Sequence, residues 1–308
     1  MIFLSYFFFH SAFFLSYLFN KKINNYDIPS DLKLHKEKTI TSAGLFPFIL
    51  LGIFCIFLFY LHYENLFFKS SELPFFLIIP IGILFLTIFS FLDDLKSLSI
   101  QLRLISQFCV VFFSIAALPV NIDLGFQTPI FNGLVNTKID LFFVIILWVY
   151  FINATNFYDG ADGLLGLQLI NFGFSYYLIF NDLKIYLISE ISLLILFIGI
   201  SFLFFNFSRK YKMFLGDAGS VVTGYLFGFL TIRLISEGYY IAPLLISFTI
   251  VFDIFTSLSL RLFKKKSIFV RHNEFIFKFI IKKYSLNIYL LGFIIVQSIL
   301  SFFAINSI

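Results

Sequence analysis

Apolar residues run along this chain in long blocks rather than in alternation. Ten stretches of roughly 17 or more mostly apolar residues stand out. They lie at about 2–19, 43–61, 74–92, 101–119, 140–157, 163–180, 186–205, 218–236, 241–260 and 286–305. Each is long enough to cross a hydrocarbon core of about 30 Å as a helix. The pattern predicts an all-α, polytopic membrane protein with about ten transmembrane helices. The first block, 1–19, carries no basic segment ahead of it and no clear small-residue cleavage site after it, so it reads as the first helix rather than a leader. No connection is long enough for a soluble domain, and residues 1–308 read as one integral membrane unit. Pro119, Gly125, Pro129 and Gly133 suggest a small hairpin in 120–139.

Charge gives the blocks an orientation. The connections 20–42, 93–100, 158–162, 206–217 and 261–285, with Arg103 at a helix mouth, hold 18 of the 22 Lys and Arg residues. The alternate connections hold Lys69, Lys138 and Lys184, and Arg233 lies at a helix end on their side. Basic residues collect on the cytoplasmic side of membrane proteins. The first set is therefore expected in the cytoplasm and both termini outside, in a cell inner (plasma) membrane.

Composition agrees. The chain is 60% hydrophobic and only 13% charged, with 50 Phe among 308 residues, whereas a soluble protein carries roughly 25% charge. The net charge of +5 follows the topology and implies no nucleic-acid partner. Cys55 and Cys109 lie inside apolar runs and read as small hydrophobes, not as a disulfide or zinc site. His10 and His62, on the outer half, read as structural.

Against this background the carboxylates are conspicuous, because each costs about 2.5–3.5 kcal/mol near the centre of a membrane helix. Asp93 and Asp94 follow the third block, and Arg103 opens the next, where its planar fork of donors suits a phosphate. The segment 153–164 reads NATNFYDGADGL. Asn153 and Asn156 share a helix face, and the two Asp-Gly pairs that follow, at Asp159 and Asp162, allow a tight turn and close backbone approach to a ligand. Oxygen donors of this kind suit Mg²⁺ or Mn²⁺. FLGDAGS, 214–220, places Asp217 before small residues that expose backbone N–H groups at a helix N-terminus, a ready anion site. Three of these patches fall on the expected cytoplasmic face. Asp253 lies about 12 Å inside its helix, counted from Arg261 at about 1.5 Å per residue.

Asp93-Asp94, NATNFYDGADGL and FLGDAGS, in this order and on this membrane side, resemble the polyprenyl-phosphate sugar-1-phosphate transferases (glycosyltransferase family 4). That superfamily includes the undecaprenyl-phosphate GlcNAc-1-phosphate transferases and the phospho-MurNAc-pentapeptide translocases. The resemblance spans about residues 20 to 285. Asp27-Ile-Pro29, His35 and Lys38 through Gly44 look like the family's first cytoplasmic loop, with Leu32 and Lys33 at its Arg-Ser positions and its Gly-rich end thinned to Ser42-Ala43-Gly44. The segment 267–278, SIFVRHNEFIFK, is most similar to the O-antigen branch. It keeps Ile268, Phe269 and His272 but has Asn273 for an Arg and Phe275 for a second His.

The resemblance implies transfer of a sugar 1-phosphate, such as N-acetylhexosamine 1-phosphate, from a UDP-sugar to polyprenyl (undecaprenyl) phosphate. UMP is released, as an initiating step of cell-surface glycan synthesis such as O-antigen lipopolysaccharide. It implies a Mg²⁺-dependent phosphotransferase with Asn156 and Asp217 as metal ligands. Asp93 would act on the lipid phosphate with Asp94 in support, Arg103 and His272 would contact the diphosphate, Asp159 and Asp162 the nucleotide end, and Lys38 the substrate. Two other readings stand beside it: an ion-coupled transporter, for which Asp253 reads equally well, and a catalytically impaired homologue, given the departures in 267–278. The compact Asp-Gly-x-x-Ala-Arg signature of CDP-alcohol phosphotransferases is absent.

Overall fold

The computed structural model describes residues 2–30, 33–63, 73–117, 137–266 and 274–308. Each of the ten apolar blocks forms a helix: α1 (Ile2–Lys22), α2 (Leu45–Tyr63), α3 (Leu73–Lys96), α4 (Ile100–Ala116), α5 (Thr137–Tyr158), α6 (Leu164–Asp182), α7 (Tyr186–Asn206), α8 (Asp217–Ser236), α9 (Ile241–Phe263) and, last in the chain, α11 (Leu286–Ile305). Among the described residues, seven helices are long and apolar enough to cross a membrane, with α4 and the apolar part of α5 somewhat shorter. An eight-residue helix that the apolar blocks do not reveal, α10 (Ile276–Lys283), lies before α11. It is amphipathic and only two turns long, too short for a search based on spanning length. The suggested hairpin in 120–139 falls mainly outside the described residues.

Helix α8 is the centre of the bundle. Every residue from Ala218 to Ile232 is buried, which explains why its sequence is apolar all round rather than on one stripe. It packs against α5 and α3, and α2, α6 and α9 also touch it. Glycines make the approach close. A Cβ at Gly224 would lie 2.1 Å from Thr155 Oγ1 of α5, and one at Gly44 would lie 2.3 Å from Gly219 Cα. Small residues at helix contacts are a general device for packing in lipid, where no hydrophobic force drives helices together. Trp148 adds a polar tie, donating from Nε1 to the Tyr225 carbonyl at 2.8 Å, and the Tyr225 and Ser114 hydroxyls meet at 2.7 Å.

Around this centre α6 and α7 form an antiparallel pair, and α1 packs on α7 and α2. The outward faces carry many of the phenylalanines, among them Phe7, Phe8, Phe112, Phe142 and Phe303, all exposed in the isolated chain. His10 packs on Phe204 and Phe205 with ring centroids at 4.9 Å, and His62 meets Glu190 of α7 at 2.9 Å.

The connection between α1 and α2 is held to the start of α8. Strands β1 (Tyr26–Asp27) and β2 (Thr39–Ile40) pair antiparallel. Ile40 bridges Met213, and Phe214 N–H donates to the Ile40 carbonyl at 2.9 Å. Ala43 and Gly44 N–H groups continue this pairing to Phe214 and Leu215 carbonyls at 3.0 Å. Residues 39–44 thus run beside 213–216, and two segments far apart in sequence form one platform.

Candidate active site

The site is built where α3, α4, α5 and α8 meet this platform. Gly216 turns the chain into α8 with φ +71°. A Cβ there would lie 2.5 Å from Ser42 N and 2.7 Å from Asp94 Oδ2, so both the backbone angle and the space require glycine. Asp94 sits in the last turn of α3 rather than beyond it. It accepts from Asp217 N–H at 3.0 Å, Ala218 N–H at 3.2 Å and the Ser42 hydroxyl at 2.6 Å. The first amides of α8, expected from the sequence to be an open anion site, are taken by Asp94. A carboxylate at this position also suits the positive end of the helix dipole.

Behind Ser42 lies a buried amide pair that sequence reasoning missed. Asn25 donates to the Ser42 hydroxyl at 2.8 Å and to Asn20 Oδ1 at 3.0 Å, and Asn20 donates to the Ser42 carbonyl at 3.2 Å. Ser42 itself has φ +59°. The network fixes this unusual backbone and aims the hydroxyl at Asp94. Two asparagines at the polar end of α1 were the available signal.

Asp93, one residue earlier, points elsewhere. Its Oδ1 accepts from Leu98 N–H at 2.6 Å, and its Oδ2 lies 3.4 Å from Arg103 Nη1. The same Arg103 nitrogen lies 3.8 Å from Asp217 Oδ2. Arg103 therefore stands between the two carboxylates. On the other side of Asp217, Asn156 Nδ2 donates to Oδ1 at 3.1 Å. Asn153 turns away toward α4, donating to Gln107 Oε1 at 2.7 Å. Of the two asparagines on one helix face, Asn156 is the one beside the acidic centre.

The turn after α5 completes the group. Asp159 is half-buried, and its carboxyl is held well above the usual range by burial first and then by the negative charge of Asp217, which the Gly216 backbone N–H partly offsets. Asp162 is directed away from this crowd and accepts from Lys212 Nζ at 2.6 Å. Gly163 closes the turn with φ +80°, its N–H donating to Asn206 Oδ1 at 2.6 Å. Asn206 in turn donates to the Met213 carbonyl at 2.9 Å. The 159–163 turn and the 213–216 strand are thus tied by one buried side chain.

The remaining candidates are more peripheral. Lys38 lies over the Tyr26 ring, its Nζ 4.3 Å from the ring centre. His35 packs on Phe214 with the rings tilted and their centroids 4.8 Å apart, and its ring is held below the usual histidine pKa by burial first, with Asp27 pulling the other way. His272 lies outside the described residues. Asp253 proves to be a cap. Its Oδ1 accepts from Ile276 N–H at 2.9 Å and its Oδ2 from Phe277 N–H at 3.0 Å, so it holds the N-terminus of α10. These bonds account for its burial without any ion. Lys278 of α10, not singled out from the sequence, reaches the Asp159–Asp162 turn: a Cβ on Gly160 would lie 3.2 Å from its Cε.

Asp93, Asp217 and Asn156, with Asp159 nearby, form a half-buried set of oxygen donors that Arg103 only partly neutralises. The Asn156 amide, turned about its last torsion, presents carbonyl oxygen instead of NH₂ to the same space. Hard divalent cations favour such donors. Among the described residues, no three His, Cys, Asp or Glu side chains converge to enclose a metal by themselves. An ion held here would complete its shell with water or substrate oxygens, as Mg²⁺ commonly does.

Comparison with known proteins bears on this arrangement. Residues 75–235 match the Glycosyl transferase family 4 domain. The chain is 27% identical over 296 residues to a probable undecaprenyl-phosphate N-acetylglucosaminyl 1-phosphate transferase of Bacillus subtilis, covering 89% of this chain and 76% of that protein. It is 32% identical over 256 residues to a phospho-N-acetylmuramoyl-pentapeptide-transferase of Thermotoga neapolitana, covering 77% and 74%. A transferase of the same description from Streptococcus uberis is 30% identical over 242 residues, covering 73% and 68%.

Proposed function

This chain belongs to glycosyl transferase family 4, the polyprenyl-phosphate sugar-1-phosphate transferases, and from that membership we propose that it transfers an N-acetylhexosamine 1-phosphate from a UDP-sugar to undecaprenyl phosphate. UMP leaves, and the lipid-linked sugar diphosphate begins a cell-surface glycan. All ten long helices cross the inner membrane in this reading, with both termini outside and the acidic centre on the cytoplasmic face. The strong Lys and Arg bias supports that orientation. The observation that carries the proposal is the meeting of Asn156 and Asp217, 61 residues apart, beside Arg103 and Asp93.

The reaction joins two anions. An oxygen of the lipid phosphate attacks the β-phosphorus of the nucleotide sugar, and the bond between the two donor phosphates breaks toward UMP. Positioning and neutralisation of charge must supply most of the rate. Asn156 and Asp217 would hold Mg²⁺, which would screen the diphosphate oxygens and polarise the phosphorus. Arg103, already between Asp93 and Asp217, shifts its fork of donors toward a phosphate. Asp93 takes any proton on the attacking lipid phosphate and orients it. Asp94, its oxygens engaged at α8, acts as a positioning residue. Asp159 and Asp162 border the nucleotide, and His272 and Lys38 are further substrate contacts. A transporter is disfavoured by Asp253, which caps α10 rather than lining a midplane site.

The test is UMP release from UDP-GlcNAc and other UDP-sugars by membranes carrying the protein and supplied with undecaprenyl phosphate. Metal-dependent release that disappears in Asp217→Ala, at equal expression, supports the proposal. Release that persists unchanged in that variant sinks the metal assignment, and no release with any UDP-sugar sinks the reaction.

A further inference from the structure

The basic end of α1 and the connection that follows α7 share a ledge that the transfer reaction does not use. Phe14, Tyr17 and Lys21 stand at i, i+3 and i+7 on α1. They form one stripe about 10 Å long, which runs from the apolar body of the helix into its last turn. The Tyr211 ring closes on this stripe. It meets Phe14 edge-on with centroids 5.9 Å apart, and Tyr17 edge-on at 5.3 Å. The Tyr17 hydroxyl donates to the Lys210 carbonyl at 3.3 Å, which pins the connection to α1.

Cations sit on both tyrosines. Lys21 Nζ lies 5.6 Å from the centre of the Tyr17 ring, and Lys210 Nζ lies 5.1 Å from that of Tyr211. These are cation–π distances, and because the two rings touch, both ammonium groups belong to one aromatic pair. Lys22 and Arg209, their neighbours in the chain, are exposed. Among the described residues none of Lys21, Lys22, Arg209 and Lys210 is ion-paired, while Asp27 and Asp162 are taken by Lys33 and Lys212. Positive charge thus collects without an acidic partner, next to the exposed Phe14 and Phe207.

Along α1 an apolar ring, an amphipathic ring and a cation follow one another. Acyl chain, interface and headgroup follow one another in the same order in a bilayer. A soluble anion would account for the cations alone. A lipid accounts for the exposed Phe14 beside them as well. We propose that this ledge binds the phosphate headgroup of an anionic glycerophospholipid, with Lys21 and Lys210 on the phosphate and an acyl chain along Phe14. A lipid held there ties α1 to the connection in which Lys212 bonds Asp162 and Met213 bridges Ile40. The ledge is at the α1–α7 corner, whereas Arg103 is on α4, which packs on α3 and α5. From the reading above the proposal takes only that this end of α1 lies at a bilayer boundary. It does not need the transfer of a sugar phosphate, so either can fail without the other.

Full-length protein in neutral detergent would be titrated with phosphatidylglycerol or with phosphatidylcholine of identical chains, and bound lipid counted by native mass spectrometry. Wild type would be compared with Lys21→Gln/Lys210→Gln, with Lys21→Arg/Lys210→Arg, which keeps the charge, and with Lys264→Gln/Lys265→Gln, which removes two exposed cations just beyond α9. Each cation near an anionic headgroup is worth roughly fivefold in affinity, so the first pair should weaken phosphatidylglycerol binding roughly 10- to 30-fold. Phosphatidylcholine binding should not change, and the arginine and Lys264/Lys265 pairs should bind phosphatidylglycerol within about threefold of wild type. Wild-type protein without a preference for phosphatidylglycerol overturns the proposal. So does an equal loss in the Lys21/Lys210 and Lys264/Lys265 glutamine pairs, which would mean diffuse charge rather than a site. A loss in the Lys21/Lys210 glutamine pair for undecaprenyl phosphate but not for phosphatidylglycerol would give the ledge to the acceptor lipid and also overturns it.

Discussion

Asn156 and Asp217 lie 3.1 Å apart across the contact between α5 and α8, although 61 residues of chain separate them. The contact exists because Gly224 lets α8 approach the backbone of α5. Two residues holding one ion act as a unit, and their substitutions should not add. Asn156→Ala and Asp217→Ala are each expected to lower kcat by about 10³-fold or more, as loss of an electrostatic element at a reacting phosphate does. The double variant should be little worse than the poorer single one. Steady-state kinetics on all three, at matched expression, checks this; strictly multiplicative losses would separate the two roles.

Metal dependence has its own readout. Chelation should abolish transfer, and Mg²⁺ should restore it. Mg²⁺ at 100 times its dissociation constant should also stabilise the folded protein by about 2.7 kcal/mol. Thermal unfolding with and without Mg²⁺ measures this gain. It should shrink sharply in Asp217→Asn, and an unchanged gain would place the ion elsewhere.

Asp94→Ala should damage stability before chemistry. It leaves the N–H groups of Asp217 and Ala218 and the hydroxyl of Ser42 without their acceptor, at about 1–3 kcal/mol for a buried donor. Asp93→Asn should do the reverse, leaving the unfolding midpoint near wild type while slowing transfer. Comparing the two midpoints with the two kcat values separates positioning from chemistry.

Gly216→Ala should be among the most harmful small substitutions. The positive φ costs about 1–3 kcal/mol for a residue with a Cβ, and the methyl group would collide with Ser42. Lower thermal stability together with lost activity is expected. Wild-type behaviour in both would refute the tight platform.

Asp159 gives a pH prediction. Its folded-state pKa is raised by burial and by Asp217, so folding favours its protonated form. The stability it contributes is fully present below the unfolded carboxyl pKa of about 4 and is lost as pH rises toward the folded value. Without metal or substrate, Asp159→Asn should therefore raise the unfolding midpoint at pH 7 and flatten its decline above about pH 4. Unfolding scans across that range decide it, and a lower midpoint for the variant at pH 7 would contradict this.

The sequence exposed the long helices and the acidic motifs for one reason: in an apolar chain, length and charge are each expensive to fake. It was less informative wherever a side chain's partner lay far along the chain. Asp253 looked like a midplane carboxylate because α10, eight residues long, left no spanning signal. Asp94 looked like half of a catalytic pair, since nothing local says that it caps α8. Asn20 and Asn25 passed as ordinary polar residues after a membrane helix. Lys278 was hidden among the basic residues of the connection 261–285, where its burial depends on Phe275 and Phe277 folding over the 159–163 turn.

The contact between Gly44 and Gly219 has a final consequence. With no side chain between them, the segment leading into α2 and the first turn of α8 have no room to slide past one another by even a methyl group. The acidic centre is therefore clamped on that flank: the platform that carries Ser42 and the turn that carries Asp217 keep one fixed spacing.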